Sequence, residues 1–132
     1  MKFKSSHSDT TERIIKCAMK VHNKLKYGFP EVIYQRALEI ELGIENLEFK
    51  REHETPVYYN NIEIGTQKLD FLIEDKICVE LKAKPELEES HFAQIYCYLE
   101  SNNIEVGLLI NFGEPSLKFR HLRNKKYKQH HT

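Results

Sequence analysis

Apolar and polar positions alternate along two neighbouring segments in the middle of the chain, residues 67–73 and 77–84. Alternate residues of each segment are mainly apolar, and most of the residues between them are charged. Successive side chains of a strand point to opposite faces, so each segment is predicted to be a strand with one apolar face. Residues 74–76 between them predict a tight turn, and the two strands are expected to form a hairpin.

The pattern elsewhere predicts three helices and three further strands. Apolar residues at three- and four-residue spacing predict helices from residue 8 or 9 to about 26, from 30 to 42, and from 89 to about 101. Gly43 is expected to end the second helix, and Pro56 to bend or divide a strand over residues 48–59. Strands are also predicted over residues 106–112 and 117–122. This order predicts an α/β sandwich with a mixed central sheet.

Length and composition place the chain in a broad class. At 132 residues it is expected to be a single domain over residues 1–132, with a core at 9–123 and a basic tail at 124–132. The formal net charge is zero, so no overall field attracts it to nucleic acid. Nothing resembles a signal peptide or a membrane span, and we expect a cytoplasmic protein without membrane contact.

The three cysteines, Cys17, Cys78 and Cys97, are odd in number and widely spaced. Their spacing indicates neither a disulfide framework nor a zinc site. We expect all three to be buried, reduced thiols.

The register of the central hairpin follows if the two apolar faces share one core, since a slip of one residue would turn a whole strand over. The predicted pairs are Leu69–Leu81, Phe71–Val79 and Ile73–Ile77. In this register Asp70 lies opposite Glu80, with Lys82 two residues further on the same face, roughly 6.6 Å along the strand. Two carboxylates and an ammonium group are thus predicted to converge on one patch.

This patch suits a hard divalent cation, Mg²⁺ or Mn²⁺, which takes carboxylate oxygens, water and substrate phosphate as ligands. Asp70 and Glu80 would bind the cation, with the Leu81 carbonyl as a further ligand, and Lys82 would orient the attacking water. Asp followed at a distance by Glu-x-Lys resembles the core of the PD-(D/E)xK nuclease superfamily. The alternative is a hairpin with three charges on its solvent face.

The third predicted helix carries Gln94 and Tyr98 on one face, beside an apolar stripe. This Gln-x-x-x-Tyr pattern resembles the third motif of the RecB-like branch of that superfamily. The resemblance implies that Gln94 supports catalysis and that Tyr98 contacts the substrate. The alternative is an exposed Gln94 and a half-buried Tyr98 without a role in catalysis.

A closer resemblance covers residues 14–123. The segment from Gly28 through Glu31 to Tyr34 is similar to the signature of the small bacterial GxxExxY proteins, and further matches follow in the same order. The resemblance implies a restriction-endonuclease-like fold, with a mixed central sheet flanked by helices. It also implies that Glu31 is a further metal ligand, although Glu in a first helical turn is ordinarily explained by the helix dipole.

Three lysines are further candidates for substrate binding. Lys68 stands where the family is expected to carry arginine, and lysine cannot make the bidentate phosphate contact of arginine. Lys125 and Lys126 belong to the basic tail, which either contacts phosphate or is a solvated terminus.

The function that these observations favour is a metal-dependent nuclease hydrolysing phosphodiester bonds. Its expected partner is nucleic acid, DNA in preference to RNA, and a homodimer is left open. The alternative is a non-catalytic module on the same scaffold that binds nucleic acid or protein. Intact Asp70, Glu80 and Lys82 favour catalysis, whereas the near-neutral charge favours the module.

Overall fold

The structure is a computed structural model that describes residues 7–129. The ends of the predicted domain and of the basic tail, at residues 1–6 and 130–132, lie outside the described residues. The elements are α1 (Ser8–Leu25), α2 (Glu31–Ile44), β1 (Phe49–Tyr59), β2 (Ile62–Ile73), β3 (Ile77–Lys82), α3 (Glu89–Ser101), β4 (Val106–Asn111) and β5 (Lys118–Arg123).

The five strands form one mixed sheet in the order β1-β2-β3-β4-β5. β1, β2 and β3 are antiparallel neighbours, α3 crosses from β3 to the parallel strand β4, and β5 returns antiparallel to β4. A parallel pair requires such a crossover, which here carries the helix to one face of the sheet. The predicted α/β sandwich with a mixed sheet flanked by helices is confirmed, and it has the restriction-endonuclease-like architecture.

Two apolar clusters cover the two faces of the sheet. The larger one joins α1 and α2 to one face, through side chains such as Ile14, Leu38 and Val79. The smaller one joins α3 to the other face, through side chains such as Ile95 and Leu109. Burial on both faces explains why the sequence of β4 is a near-continuous apolar run.

The register predicted for the hairpin is confirmed in its observed ladder, which pairs Phe71 with Val79 and Ile73 with Ile77. The expectation that both apolar faces share one core is wrong for one residue. Leu69 packs in the cluster beneath α3, whereas Leu81 packs in the cluster beneath α1 and α2.

Two further expectations are wrong, and one holds in part. Gly43 lies inside α2, which continues to Ile44, so a glycine near a helix end does not stop this helix. Pro56 does not divide β1, because β1 is an edge strand, where a missing N–H costs little. The pairing of β1 with β2 is nevertheless irregular directly after Pro56, since its register shifts between Val57 and Tyr58. Cys97 is exposed on α3, whereas Cys17 and Cys78 are buried as predicted.

Polar contacts of the buried Asn111, at the end of β4, hold the backbone of Lys84, which lies just after β3 and Lys82. The Asn111 side chain accepts a hydrogen bond from the Lys84 amide at 3.0 Å and donates one to the Lys84 carbonyl at 2.9 Å. A Cβ atom at Gly113 would collide with the backbone of Lys84, so only glycine allows this approach. None of the helices in the described part of the chain has the length and apolar character to cross a membrane.

Candidate functional site

The β2–β3 ladder ends at Phe71 and Val79, and beyond it two carboxylates replace backbone carbonyls as acceptors. The Asp70 amide donates a hydrogen bond to Glu80 Oε1 at 2.9 Å. The Leu81 amide donates one to Asp70 Oδ2 at 2.8 Å. Each carboxylate is therefore held by the backbone of the opposite strand, and the two acidic groups lie side by side as the register predicts.

Lys82 and Gln94 lie next to this pair. Lys82 ends β3, and its Nζ donates a hydrogen bond to Gln94 Oε1 at 3.4 Å. Gln94 is exposed on α3, and its backbone carbonyl accepts a bond from Gln67 Nε2 on β2 at 3.3 Å. The crossover helix thus carries Gln94 to the same end of the sheet as Lys82.

Glu31 reaches the site from the first turn of α2. Gly28, in the preceding loop, has a φ of 119°, a conformation that favours glycine. The buried Tyr34 holds this loop, because its hydroxyl donates to the Lys26 carbonyl at 2.6 Å and accepts from the Phe29 amide at 3.2 Å. The loop and the first turn together hold Glu31 on the side of α2 where the charge of Asp70 acts on it.

The site has three acidic side chains, Glu31, Asp70 and Glu80, and little positive charge to offset them. Burial raises the pKa of Glu80, and the neighbouring charges of Asp70 and Glu31 raise it further. Burial likewise raises the pKa of Asp70, against the opposing effect of the Leu81 amide and of Lys82. The pKa of Glu31 is raised by burial and by the charge of Asp70. Desolvation and like charge both favour the protonated forms, so the arrangement opposes the ionised acids in the absence of a cation.

The sequence matches a family model over residues 8–123, and the family is described as the PD-(D/E)XK nuclease superfamily. The chain belongs to the PD-(D/E)XK nuclease superfamily. In the sequence, Asp70 followed by Glu80-Leu81-Lys82 has the order of residue types that the superfamily name gives after its first letter.

A solved structure supports the fold of this superfamily member. The crystal structure of SSO0001 superimposes with a TM-score of 0.58 at 17% sequence identity. The match covers 89% of this chain and 60% of that chain, so the PD-(D/E)XK chain described here spans about 60% of the length of SSO0001. At this identity the likeness concerns the fold alone. No curated protein sequence matched the chain.

The structure places the predicted substrate-binding residues Tyr98 and Lys68 in different surroundings. Tyr98 is 2% exposed, packs in the cluster beneath α3 and is hydrogen-bonded to Thr55. Burial raises its pKa to about 12. This burial does not fit the substrate contact predicted for Tyr98. Lys68 is exposed and pairs with Glu52, with 3.7 Å between Nζ and Oε2.

The described part of the basic tail lies at the opposite end of the sheet. β5 runs antiparallel to β4, so Lys118 adjoins the end of β4 near the site, and Lys125 and Lys126 follow the other end. A six-residue strand such as β4 separates its two ends by about 17 Å. Lys126 pairs with Glu100 at 3.4 Å. The two tail lysines therefore lie about one strand length from the carboxylates, and their role in substrate binding stays a prediction.

Two residues near the site, Gln35 and Arg51, were not predicted from the sequence. Gln35 is 5% exposed on α2, and its Nε2 donates to Asp70 Oδ1 at 3.0 Å. Arg51 on β1 donates from Nη1 to Gln35 Oε1 at 2.9 Å. The available signal was helical spacing, because Gln35 follows Glu31 by four residues and so lies on the same side of α2.

The donor set has few protein ligands. Within residues 7–129, no three His, Cys, Asp or Glu side chains are grouped closely enough to hold a metal ion by themselves. Mg²⁺ usually keeps several waters and takes only one or two protein carboxylates. The Asp70 and Glu80 pair therefore suits Mg²⁺ better than it suits an ion that needs a complete set of protein ligands.

Proposed function

We propose that this protein is a metal-dependent nuclease that hydrolyses phosphodiester bonds, in DNA in preference to RNA. The observation that supports the proposal is the juxtaposition of Asp70 and Glu80, each held by the opposite strand's backbone, with Lys82 beside them. A fold alone would not support an activity, whereas a site with this chemistry does. The superfamily generally uses divalent metals, which fits the acidic site.

The residues present fit a divalent cation. Asp70 and Glu80 would hold it with oxygen atoms, the ligands that Mg²⁺ and Mn²⁺ prefer. Glu31, whose pKa responds to the charge of Asp70, and the Leu81 carbonyl are proposed as further ligands. Burial raises the pKa values of the three acids, and the charge of Asp70 raises those of Glu80 and Glu31 further, so a positive charge at the site would favour the ionised forms. When bound, the cation would offset charge on the phosphate oxygens and make a water molecule more acidic.

The side chains have separate roles in the proposed hydrolysis. Lys82 orients the attacking water and offsets the charge that develops on the phosphate, because its ammonium group is a donor with a positive charge. Gln94 holds Lys82 in place through its Oε1 atom. Water attacks the phosphorus and gives up one proton to the solvent, the bond to the leaving sugar oxygen breaks, and that oxygen takes up a proton from the solvent.

We further propose that the chain is a GxxExxY protein of the RecB-like branch. The contacts of Gly28, Glu31 and Tyr34 support this, because each has a distinct task at the entrance to α2. Gly28 takes a φ that other residues avoid, Glu31 lies where the charge of Asp70 acts on it, and Tyr34 closes the loop.

A nuclease assay on purified protein tests the activity. With Mn²⁺, the protein should cleave at least one substrate from a panel of single-stranded, duplex and branched DNA and RNA. Lys82→Ala should lose most cleavage and keep binding, because its task is to handle the water and the developing charge. Equal rates for the Lys82→Ala variant and the parent protein would assign the cleavage to a contaminant or to another site.

The second candidate is a non-catalytic module that binds nucleic acid or protein. Two observations favour it: the formal net charge is zero, and Lys125 and Lys126 lie far from the carboxylates. The same panel separates the candidates. Binding that depends on the tail, with no substrate cleaved in Mg²⁺ or Mn²⁺, would establish the module.

A further inference from the structure

Asp70 is held from two sides. The Leu81 amide donates to Oδ2 at 2.8 Å, and the Gln35 side chain donates to Oδ1 at 3.0 Å. A carboxylate has about four lone-pair positions, so two remain for another partner. The Leu81 amide and the Gln35 side chain fix the orientation of the carboxylate, and so they decide where the two remaining lone pairs point.

The orientation of the Gln35 amide is itself determined by its second contact. Arg51 approaches the other end of the amide with Nη1, at 2.9 Å from Oε1. A guanidinium group can only donate, so the oxygen of the amide must face Arg51. The NH₂ group must then face Asp70, where it meets an acceptor. The reversed amide would set donor against donor at one end and acceptor against acceptor at the other.

Arg51 is held in turn by acidic side chains on both sides. Its Nε lies 3.2 Å from Glu39 Oε2 on α2, and its Nη1 lies 2.9 Å from Glu52 Oε1. The side chain is only 21% exposed, so the ion pairs are partly shielded from water. Arg51 therefore presents a donor to Gln35 in a restrained position.

We propose that Arg51 and Gln35 act as one positioning unit that orients the Asp70 carboxylate to receive a divalent cation. The inference rests on the proposed metal site and adds two residues to it. Neither residue is a catalytic residue: Gln35 acts through Asp70, and Arg51 acts through Gln35. Groups that orient a metal ligand in this manner typically contribute about 10–100-fold to metal affinity.

The experiment measures Mn²⁺ affinity by calorimetry for the parent protein and three variants. Gln35→Met keeps the length of the side chain and removes both contacts of the amide, and we expect it to weaken Mn²⁺ binding by about 10–100-fold. Arg51→Met should weaken binding less than Gln35→Met, because it frees the amide to turn but leaves it in place. The double variant should bind no more weakly than Gln35→Met alone, because Arg51 acts only through Gln35.

A matched control variant is Arg36→Met. Arg36 lies on α2 and pairs with the same Glu39, with 3.6 Å between Nη1 and Oε1. Its side chain is 59% exposed, and it is linked to Gln35 through Glu39 and Arg51 and not by the hydrogen bond that sets the amide. It should leave Mn²⁺ affinity unchanged. Arg51→Lys provides a milder change that keeps the charge but not the planar fork, and it should fall between the parent protein and Arg51→Met.

A second measurement does not depend on metal. The side-chain amide signals of Gln35 in the NMR spectrum of the metal-free protein should shift in Asp70→Asn and in Arg51→Met, and should not shift in Arg36→Met. Unchanged signals in either of the first two variants would overturn the inference.

The outcomes of the metal titration separate the inference from the proposed function. Mn²⁺ binding that Asp70→Asn abolishes and Gln35→Met leaves intact overturns the inference alone. Losses that add fully in the double variant show two independent structural effects and also overturn it. A parent protein without Mn²⁺ binding, or binding that survives Asp70→Asn, overturns the metal site and the positioning unit together.

Discussion

The two ends of β4 carry charged groups of opposite kinds. At the end near Asn111, Asp70 and Glu80 are largely removed from solvent and next to each other, and burial and like charge raise their pKa values. At the end near Val106, Lys125 and Lys126 are exposed, and Lys126 pairs with the exposed Glu100. The charges at the first end oppose folding, whereas those at the second cost almost nothing.

This difference indicates which end of β4 is the stronger candidate for a functional site. Exposed ion pairs contribute about 0–1 kcal/mol, so residues such as Lys126 and Glu100 need no function to persist. Buried like charges are unfavourable and need a reason outside stability. Local conflicts with folding are expected at functional sites. The buried acidic end is therefore the stronger candidate for a site than the basic tail.

The largest expected effect is on cleavage. Glu80→Gln should lower the rate at saturating substrate by about 100-fold or more, since removal of one electrostatic group from an active site costs about 10²–10³. Lys126→Gln should change the same rate by less than about threefold, because it lies at the other end of the sheet. The measurement is a single-turnover assay with Mn²⁺. Similar losses in both variants would remove the distinction between the two ends.

The next effect is stabilisation by metal. Millimolar Mg²⁺ or Mn²⁺ should raise the melting temperature by about 10 °C, since a ligand at about 100 times its Kd stabilises by about 2.7 kcal/mol and each kcal/mol shifts the melting temperature of a domain of this size by about 4 °C. Asp70→Asn should abolish the rise, and Lys125→Gln should keep it. Thermal unfolding with and without metal measures both. An unchanged melting temperature in the parent protein would favour the non-catalytic module.

The third effect concerns pH in the metal-free protein. Burial and the charge of Asp70 raise the pKa of Glu80 to about 8 from an ordinary value of 4.5. The folded state then binds a proton that the unfolded state has lost, so stability falls as pH rises from about 4.5 to about 8. Denaturation in EDTA at several pH values should reveal this fall, and Glu80→Gln should flatten it. Stability that rises across this window in the parent protein would contradict the assigned direction.

A smaller effect is expected for Asn124, the residue of the tail that is buried and contributes to stability, in contrast to the charged lysines that follow it. Asn124 is 3% exposed, and its Nδ2 donates to the carbonyls of Leu99 and Ile104 at 3.1 and 3.0 Å. Asn124→Ala leaves these buried carbonyls without a donor and should cost about 1–3 kcal/mol of unfolding free energy. Urea denaturation measures the loss. A cost below about 0.5 kcal/mol would show that water replaces the side chain.

The smallest expected effect is that of the two tail lysines on binding. Lys125→Gln and Lys126→Gln together should leave the free energy of unfolding within about 0.5 kcal/mol of the parent value. If the tail contacts phosphate, the slope of log affinity against log salt should fall by about 0.9 per lysine on duplex DNA. A fluorescence anisotropy titration at three salt concentrations measures the slope. An unchanged slope would remove both lysines from the substrate-binding set.

Much of the fold could be predicted because its signals are local. The alternation in β2 and β3 predicted their register, and spacing of three and four predicted α3 with the observed bounds, Glu89–Ser101. That register also predicted which side chains of the hairpin are neighbours, so the alternation was enough to predict that Asp70 and Glu80 lie close together. Gly43 was misinterpreted because it keeps a negative φ inside the helix, and the left-handed residue that follows the helix is Asn46, with a φ of 58°.

The sequence by itself determined the strands, their order and the meeting of Asp70 with Glu80, because periodicity and register act over a few residues. Only the tertiary structure decided that Gln35 and Arg51 support Asp70, that Tyr98 is buried, and that the basic tail lies at the far end. Gln35 and Asp70 are 35 positions apart, and their contact depends on how α2 packs against the sheet. The local sequence pattern does not predict that packing, because the same amphipathic helix can lie on a sheet at several positions and angles.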